Sequence, residues 1–160
     1  MQIEYEDTDF PPETLRADFQ RAAEAVQKSE ALSGCELEAD VRFVPEEEMR
    51  ELNLKFRGKD RPTDVLSFPM YESIEGIREA ALSAESLGLP PVMIGDVVLC
   101  EPVAARQAAE YGNTLEQELT HLLVHSLLHL LGYDHETDED YEIMHKKEKG
   151  GICHLDTAKK

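Results

Sequence analysis

Residues 114–132, TLEQELTHLLVHSLLHLLG, constrain this chain more than any other stretch. Thr114 and Gln117 have the spacing of a capping box, in which the threonine caps the first turn and the glutamine reaches back. From there an apolar pattern runs unbroken to Leu131, where Gly132 stops it. The spacing predicts a helix over 115–131, roughly 25 Å long. Leu115, Leu119, Leu122, Leu123, Val124, Leu127, Leu128, Leu130 and Leu131 leave it apolar on most sides. A helix of that kind has to lie in the middle of a fold.

The other segments read as the layers that cover it. QIEYE (2–6) alternates as a half-buried strand does. Pro11 and Pro12 start a helix whose Leu15, Phe19, Ala22, Ala23 and Val26 share one face, and Gly34 closes that region. Residues 36–44 read as a second strand, with Leu37, Ala39, Val41 and Phe43 on one side. Pro45 opens a helix that carries three glutamates in its first turn, where the helix dipole favours them. That helix is expected to bury Met49, Leu52 and Phe56 and to stop at Gly58. Residues 64–70 form a third strand, and Pro69 marks it as an edge or a strand end. Residues 71–91 read as a surface excursion with some helix. A fourth strand, 92–100, is almost continuously apolar, and Pro102 starts a short helix ending near Gly112. The fold expected is α+β: a small four-stranded mixed sheet packed against a long central metal-binding helix. No repeat or linker divides residues 1–160, so they are read as a single domain, with a poorly ordered tail from about 146.

His121, His125 and His129 are each four residues apart on the central helix, so they line one stripe. His121 and His129 are roughly 11 Å apart along the axis, too far for one ion with bonds of about 2.1 Å. An adjacent pair can share an ion, and Gly132 selects it. A glycine past the helix end lets the chain turn back, so His135 can close on His125 and His129. Three imidazoles leave the fourth tetrahedral position open, as in a catalytic zinc site. The expectation is one Zn²⁺ per chain, held by His125, His129 and His135. His121 then remains a candidate substrate or outer contact, or else a hydrogen-bonded core histidine.

The HxxxHxxGxxH spacing is shared with metzincin proteases, which carry a glutamate base directly after the first histidine. Here that place is Ser126. Glu116 and Glu118 stand more than a turn before His125 and do not replace it.

Charge bears on what such a metal could act upon. With 34 acidic against 16 basic residues the formal charge is −18, which opposes a nonspecific grip on nucleic acid. One run departs from this: KFRGKDR (55–61) gathers Lys55, Arg57, Lys59 and Arg61 around Asp60. The three cysteines lie far apart, which fits reduced thiols better than a disulfide framework. No uncharged apolar run is long enough for a membrane span, and MQIEYEDTDF lacks a signal-peptide pattern. A cytoplasmic protein without a membrane partner is expected.

Three stretches together, HLLVHSLLHLLGYDH, NLKFRGKDRPTDVLSFP (53–69) and IGDVVLC (94–100), resemble the YbeY family of endoribonucleases, or rRNA maturation factors. The resemblance implies an α+β fold with a four-stranded sheet and a zinc on the long helix. It implies metal-dependent hydrolysis of single-stranded RNA in ribosomal RNA maturation and ribosome quality control, with RNA and the ribosome or its proteins as partners. The family's ligands match His125, His129 and His135, and its functional arginine matches Arg57; Lys59 and Arg61 stand beside it as candidate substrate contacts. Two departures are Ser126, where the family usually has glycine, and the tail HKKEKGGICHLDTAKK, which replaces a helix-forming end. Cys153 and His154 in that tail could suggest extra metal binding, but a frayed end fits them better.

The missing glutamate then has a physical account. A bound zinc lowers the pKa of its water to about 7. What a phosphodiester transition state needs beyond that is a placed cation, and Arg57 has the planar fork for it. Two rivals follow from the same residues: a metzincin-like metalloprotease, and a ribosome-associated factor in which zinc only holds the loop.

Overall fold

The computed structural model describes residues 1–6 and 11–133. His135 and the tail from 146 lie outside the described residues. The elements run β1 (Gln2–Tyr5), α1 (Glu13–Ser29), β2 (Leu37–Phe43), α2 (Glu46–Arg57), β3 (Val65–Pro69), α3 (Ile74–Leu87), β4 (Val92–Leu99), α4 (Glu101–Tyr111) and α5 (Leu115–Leu130).

They build the expected α+β architecture. The sheet has the order β1-β2-β4-β3, with β1–β2 and β2–β4 parallel and β3 antiparallel to β4. The two inner strands carry the apolar load: Leu37, Ala39 and Val41 of β2 and Ile94, Val97, Val98 and Leu99 of β4 are all buried. Burial of Val97 and Val98 on successive positions shows that β4 is covered on both faces, which is why its sequence does not alternate. The proline-bearing β3 is an edge strand, as Pro69 demands.

α5 has its capping box in full: the Gln117 N–H donates to Thr114 Oγ1 at 3.1 Å and the Thr114 N–H donates to Gln117 Oε1 at 2.9 Å. Its Leu119, Leu123, Val124, Leu127, Leu128 and Leu130 are fully buried in one cluster with Phe19, Val26, Ile94 and Leu99. Gly95 lets that helix come close. A Cβ there would meet the Phe68 carbonyl oxygen at 2.5 Å and Leu130 Cδ2 at 2.7 Å. The first contact is with backbone and cannot be relieved by a rotamer change. Gly95→Ala is therefore expected to cost about 3 kcal/mol, the upper part of the usual overpacking range. Thermal unfolding should register this as a midpoint lower by on the order of 10 °C. An unchanged midpoint would mean that α5 and β3 do not approach Gly95 this closely.

Three local expectations are corrected. Gly34 does not end α1. The reversal is made by Ala31 at φ 58°, with the Leu32 N–H donating to the Gln27 carbonyl at 3.0 Å. Phe56 is not buried with Met49; it is 51% exposed. The last turn of α2 has reached edge strand β3, and Phe56 meets Phe68 there edge-on at 5.0 Å instead of entering a closed pocket. Residues 74–87 are a full helix, capped by Ser73 Oγ, which accepts from the Gly76 N–H at 3.2 Å.

Candidate metal centre and its cleft

The C-terminal half of α5, the edge strand β3 and the loop after α2 enclose a cleft of about 1060 Å³. His125 and His129 line it, together with Arg57, Lys59, Ser67, Met70, Tyr71, Glu72 and Tyr133. The two imidazoles are half-buried, and their Nε2 atoms converge to 3.0 Å, with rings 4.6 Å apart at 71°. Helical i, i+4 spacing brings them to neighbouring turns, and the cleft gives both nitrogens one common focus.

The pair fits two ligands of one ion. Bonds of about 2.1 Å at a tetrahedral angle put ligand nitrogens about 3.4 Å apart, close to the separation found. Among the described residues no third histidine, cysteine or carboxylate completes a group of three. The expected third ligand, His135, lies outside them. Gly132 does make the turn expected of it, at φ 105°. Its N–H donates to the His129 carbonyl at 3.0 Å, and the Tyr133 N–H donates to the Leu128 carbonyl at 3.1 Å.

Arg57 is the last residue of α2, and Gly58 at φ 72° turns the chain behind it. Arg57 Nη2 donates to the Ser67 carbonyl at 3.3 Å, so one donor anchors the guanidinium to β3 while the group stands on the cleft wall. The basic run is divided by the fold. Arg57 and Lys59 face the cleft, whereas Lys55 lies over the Phe56 ring at 5.2 Å. Arg61 does not line the cleft; its carbonyl accepts from Asn53 Nδ2 at 2.8 Å. Asp60 is drawn away by a salt bridge to Arg50. The cleft thus keeps its cations without the acid between them.

His121 is not on the cleft wall. It stands near Glu118, which is buried and whose carboxyl is pushed up by that burial, with His121 opposing the rise and Asp64 adding to it. Ser126 is fully buried, and its hydroxyl has no hydrogen-bond partner among the described residues. The place of the protease base therefore points into the core, away from the cleft.

Sequence reasoning did not single out Ser67, Tyr71 or Tyr133. Tyr133 donates its hydroxyl to Glu30 Oε2 at 3.0 Å, and burial foremost, then the Glu30 carboxylate, pushes that phenol up to about 12. Nothing in the spacing of residues 30 and 133 announces this contact, which only tertiary structure makes.

A family model described as "Endoribonuclease YbeY" matches residues 1–155. The chain belongs to the YbeY family. It is similar to a Brevibacillus brevis protein named endoribonuclease YbeY, 41% identical over 150 residues that cover 93% of this chain and 92% of the relative. A Thermoanaerobacter sp. (strain X514) protein of the same name is 44% identical over 124 residues, 77% of each chain. The solution structure of TM1509 from Thermotoga maritima matches with a TM-score of 0.62 at 30% identity, covering 96% of this chain and 87% of that one. Among the described residues no helix is long and apolar enough to cross a membrane.

Proposed function

We propose that this YbeY-family chain is a zinc-dependent, single-strand-specific endoribonuclease acting in ribosomal RNA maturation and ribosome quality control in the cytoplasm. The observation that carries this reading is the meeting of His125, His129, Arg57 and Lys59 in one cleft. Zinc, held by His125, His129 and His135, would supply an activated water for hydrolysis. Everything else falls to the chain. Arg57, anchored through one N–H, presents its remaining donors to the non-bridging oxygens of a phosphodiester, where negative charge grows in the transition state. Lys59 adds a second positive charge for the neighbouring phosphate. The acidic body repels RNA elsewhere, so binding is favoured where a single strand is presented to the cleft, as on a ribosome.

The protease reading gains one feature from the fold, since β3 is an open edge beside the histidines. That edge is poorly equipped to take up a peptide strand. Bonds at Asp64–Cys100 and Met70–Ile94 and the β3–β4 register turn the main chain of Val65, Ser67 and Pro69 outward. The Val65 N–H is taken by Asp64 Oδ1 at 2.8 Å, the Ser67 carbonyl by Arg57, and Pro69 has no N–H. Peptide augmentation needs those groups.

The test is hydrolysis of a single-stranded RNA, the same RNA annealed to its complement, and casein, with the protein chelator-treated and then zinc-restored. The single strand alone should be cut, and only with zinc. Zinc-dependent casein cleavage with RNA intact would establish the protease. Folded, zinc-loaded protein that cuts neither substrate would establish the non-enzymatic ribosome factor.

A further inference from the structure

We infer, resting on the nuclease reading proposed above, that Met70 and Tyr71 form an apolar platform on which an unpaired base of the RNA stacks, next to the phosphate held by Arg57. The cleft has two chemically different ends, and β3 sets the distance between them. At one end the Ser67 carbonyl accepts from Arg57 Nη2 at 3.3 Å, with Lys59, His125 and His129 lining the same cavity. The strand then ends at Pro69, and the next two residues, Met70 and Tyr71, line the cavity as well. Tyr71 follows Ser67 by four residues, so their Cα atoms are no more than about 14 Å apart. A strand whose phosphate meets Arg57 therefore has a neighbouring base within reach of Tyr71.

Three features suit this end to a base rather than a phosphate. Met70 is 58% exposed, while its N–H is fixed to the Ile94 carbonyl at 3.0 Å. The backbone is thus held, and an adaptable thioether side chain is left at the cavity. Tyr71 is half-buried and packs in part against the main core cluster. Its ring lies over the first turn of α3, where a Cβ on Gly76 would meet Tyr71 Cδ1 at 3.7 Å. A ring braced in this way loses little freedom when a base covers its open side. Glu72 also lines the cavity, and its carboxylate repels a phosphate but not a neutral base.

Base–aromatic stacking tolerates any sequence, because every base has a π-face. In a duplex those faces are already covered, so the platform favours a single strand. An apolar side chain of a peptide would fill the same space, but two of the outward groups of β3 that would hold its main chain are taken by Asp64 and Arg57. A tyrosine that only packed over α3 would be replaceable by leucine without effect on RNA.

The experiment uses the zinc-restored full chain and two single strands of equal length, an oligoribonucleotide and one made of abasic units. The chain contains no tryptophan, so Tyr71→Trp installs a single reporter that keeps an aromatic face. On rapid mixing the intact strand should quench its emission and the abasic strand should not. Tyr71→Phe should bind the intact strand like wild type. Tyr71→Leu, which keeps apolar volume without a π-face, should bind it about fivefold to a hundredfold more weakly, the span of one base–aromatic stack. Its salt dependence should stay that of wild type, since no phosphate contact is lost. The abasic strand should bind wild type and Tyr71→Leu equally. Equal binding of the intact strand by both proteins, or a loss that persists on the abasic strand, would overturn the platform and leave the nuclease standing. Should Tyr71→Leu fail to fold, Tyr71→Trp decides: emission unchanged by the intact strand, or changed by an apolar peptide instead, overturns the platform. Unaltered protein that neither binds nor cuts the RNA would overturn the nuclease reading, and the platform with it.

Discussion

His129→Ala and His125→Ala are each expected to lose bound zinc and, with it, RNA cleavage down to background, while remaining folded. Two imidazoles hold a divalent ion far less well than three, so removing either should drop metal content sharply at stoichiometric zinc. The fold should tolerate the change. Both rings lie on the cleft wall and are only half-buried, whereas the core contacts of α5 come from its leucines and Val124. A stability loss below about 2 kcal/mol is expected, the ordinary range for a single substitution outside the core. His135→Ala should behave the same way. His121→Ala is the internal control: it carries the same side chain one turn earlier but stands off the cleft wall, so it should keep its metal. Elemental analysis, thermal melting and RNA cleavage on the same preparations decide the matter. If His121→Ala lost zinc and His129→Ala kept it, the ion would sit between the wrong pair of turns.

What made that pair legible was covalent regularity. Histidines at i and i+4 on a helix must be neighbours, and a capping box followed by an apolar stretch must be a helix, so α5 and its half of the site could be read directly. The elements that depend on tertiary placement were harder. The third helix was obscured because Leu82 and Leu87, both exposed, interrupt the stripe formed by Ile74, Ile77, Ala81 and Ala84. Phe56 looked like core because it shares the apolar spacing of Met49 and Leu52; sequence does not record that the sheet ends at β3. Gly34 suggests the end of α1 because glycine is the usual residue for a left-handed turn, whereas the fold imposes that conformation on Ala31. The basic run was legible as composition, but its division was not. Which of its cations face the histidines depends on Gly58 and on the salt bridge that removes Asp60. The edge strand beside the cleft could be anticipated from Pro69, though not that Arg57 and Asp64 would take two of its outward groups.

Arg57→Ala should abolish most RNA cleavage while leaving zinc content and melting temperature close to wild type. Arg57 is exposed and donates one 3.3 Å hydrogen bond to the Ser67 carbonyl. That bond is long, neutral at the acceptor and partly solvated, so its loss should cost at most about 1 kcal/mol. In the proposed reaction the same guanidinium would meet charge that increases toward the transition state. Removing one such group from an active site typically lowers kcat by about 10²–10³. The loss should therefore fall on kcat more than on KM, because a contact that strengthens during reaction is worth more there than in the ground state. Arg57→Lys should recover only part of the rate. An ammonium restores the charge, but its three N–H groups share one nitrogen, so it lacks the planar fork that bonds the Ser67 carbonyl through one nitrogen and phosphate through another. Lys59→Ala, lying beside it without that anchor, should act mainly on KM and show a stronger dependence on salt. Steady-state kinetics on a single-stranded oligonucleotide at two ionic strengths separates these contributions. Full activity in Arg57→Ala would remove the residue from the chemistry, and a protein that no longer folds would make its contact with β3 structural.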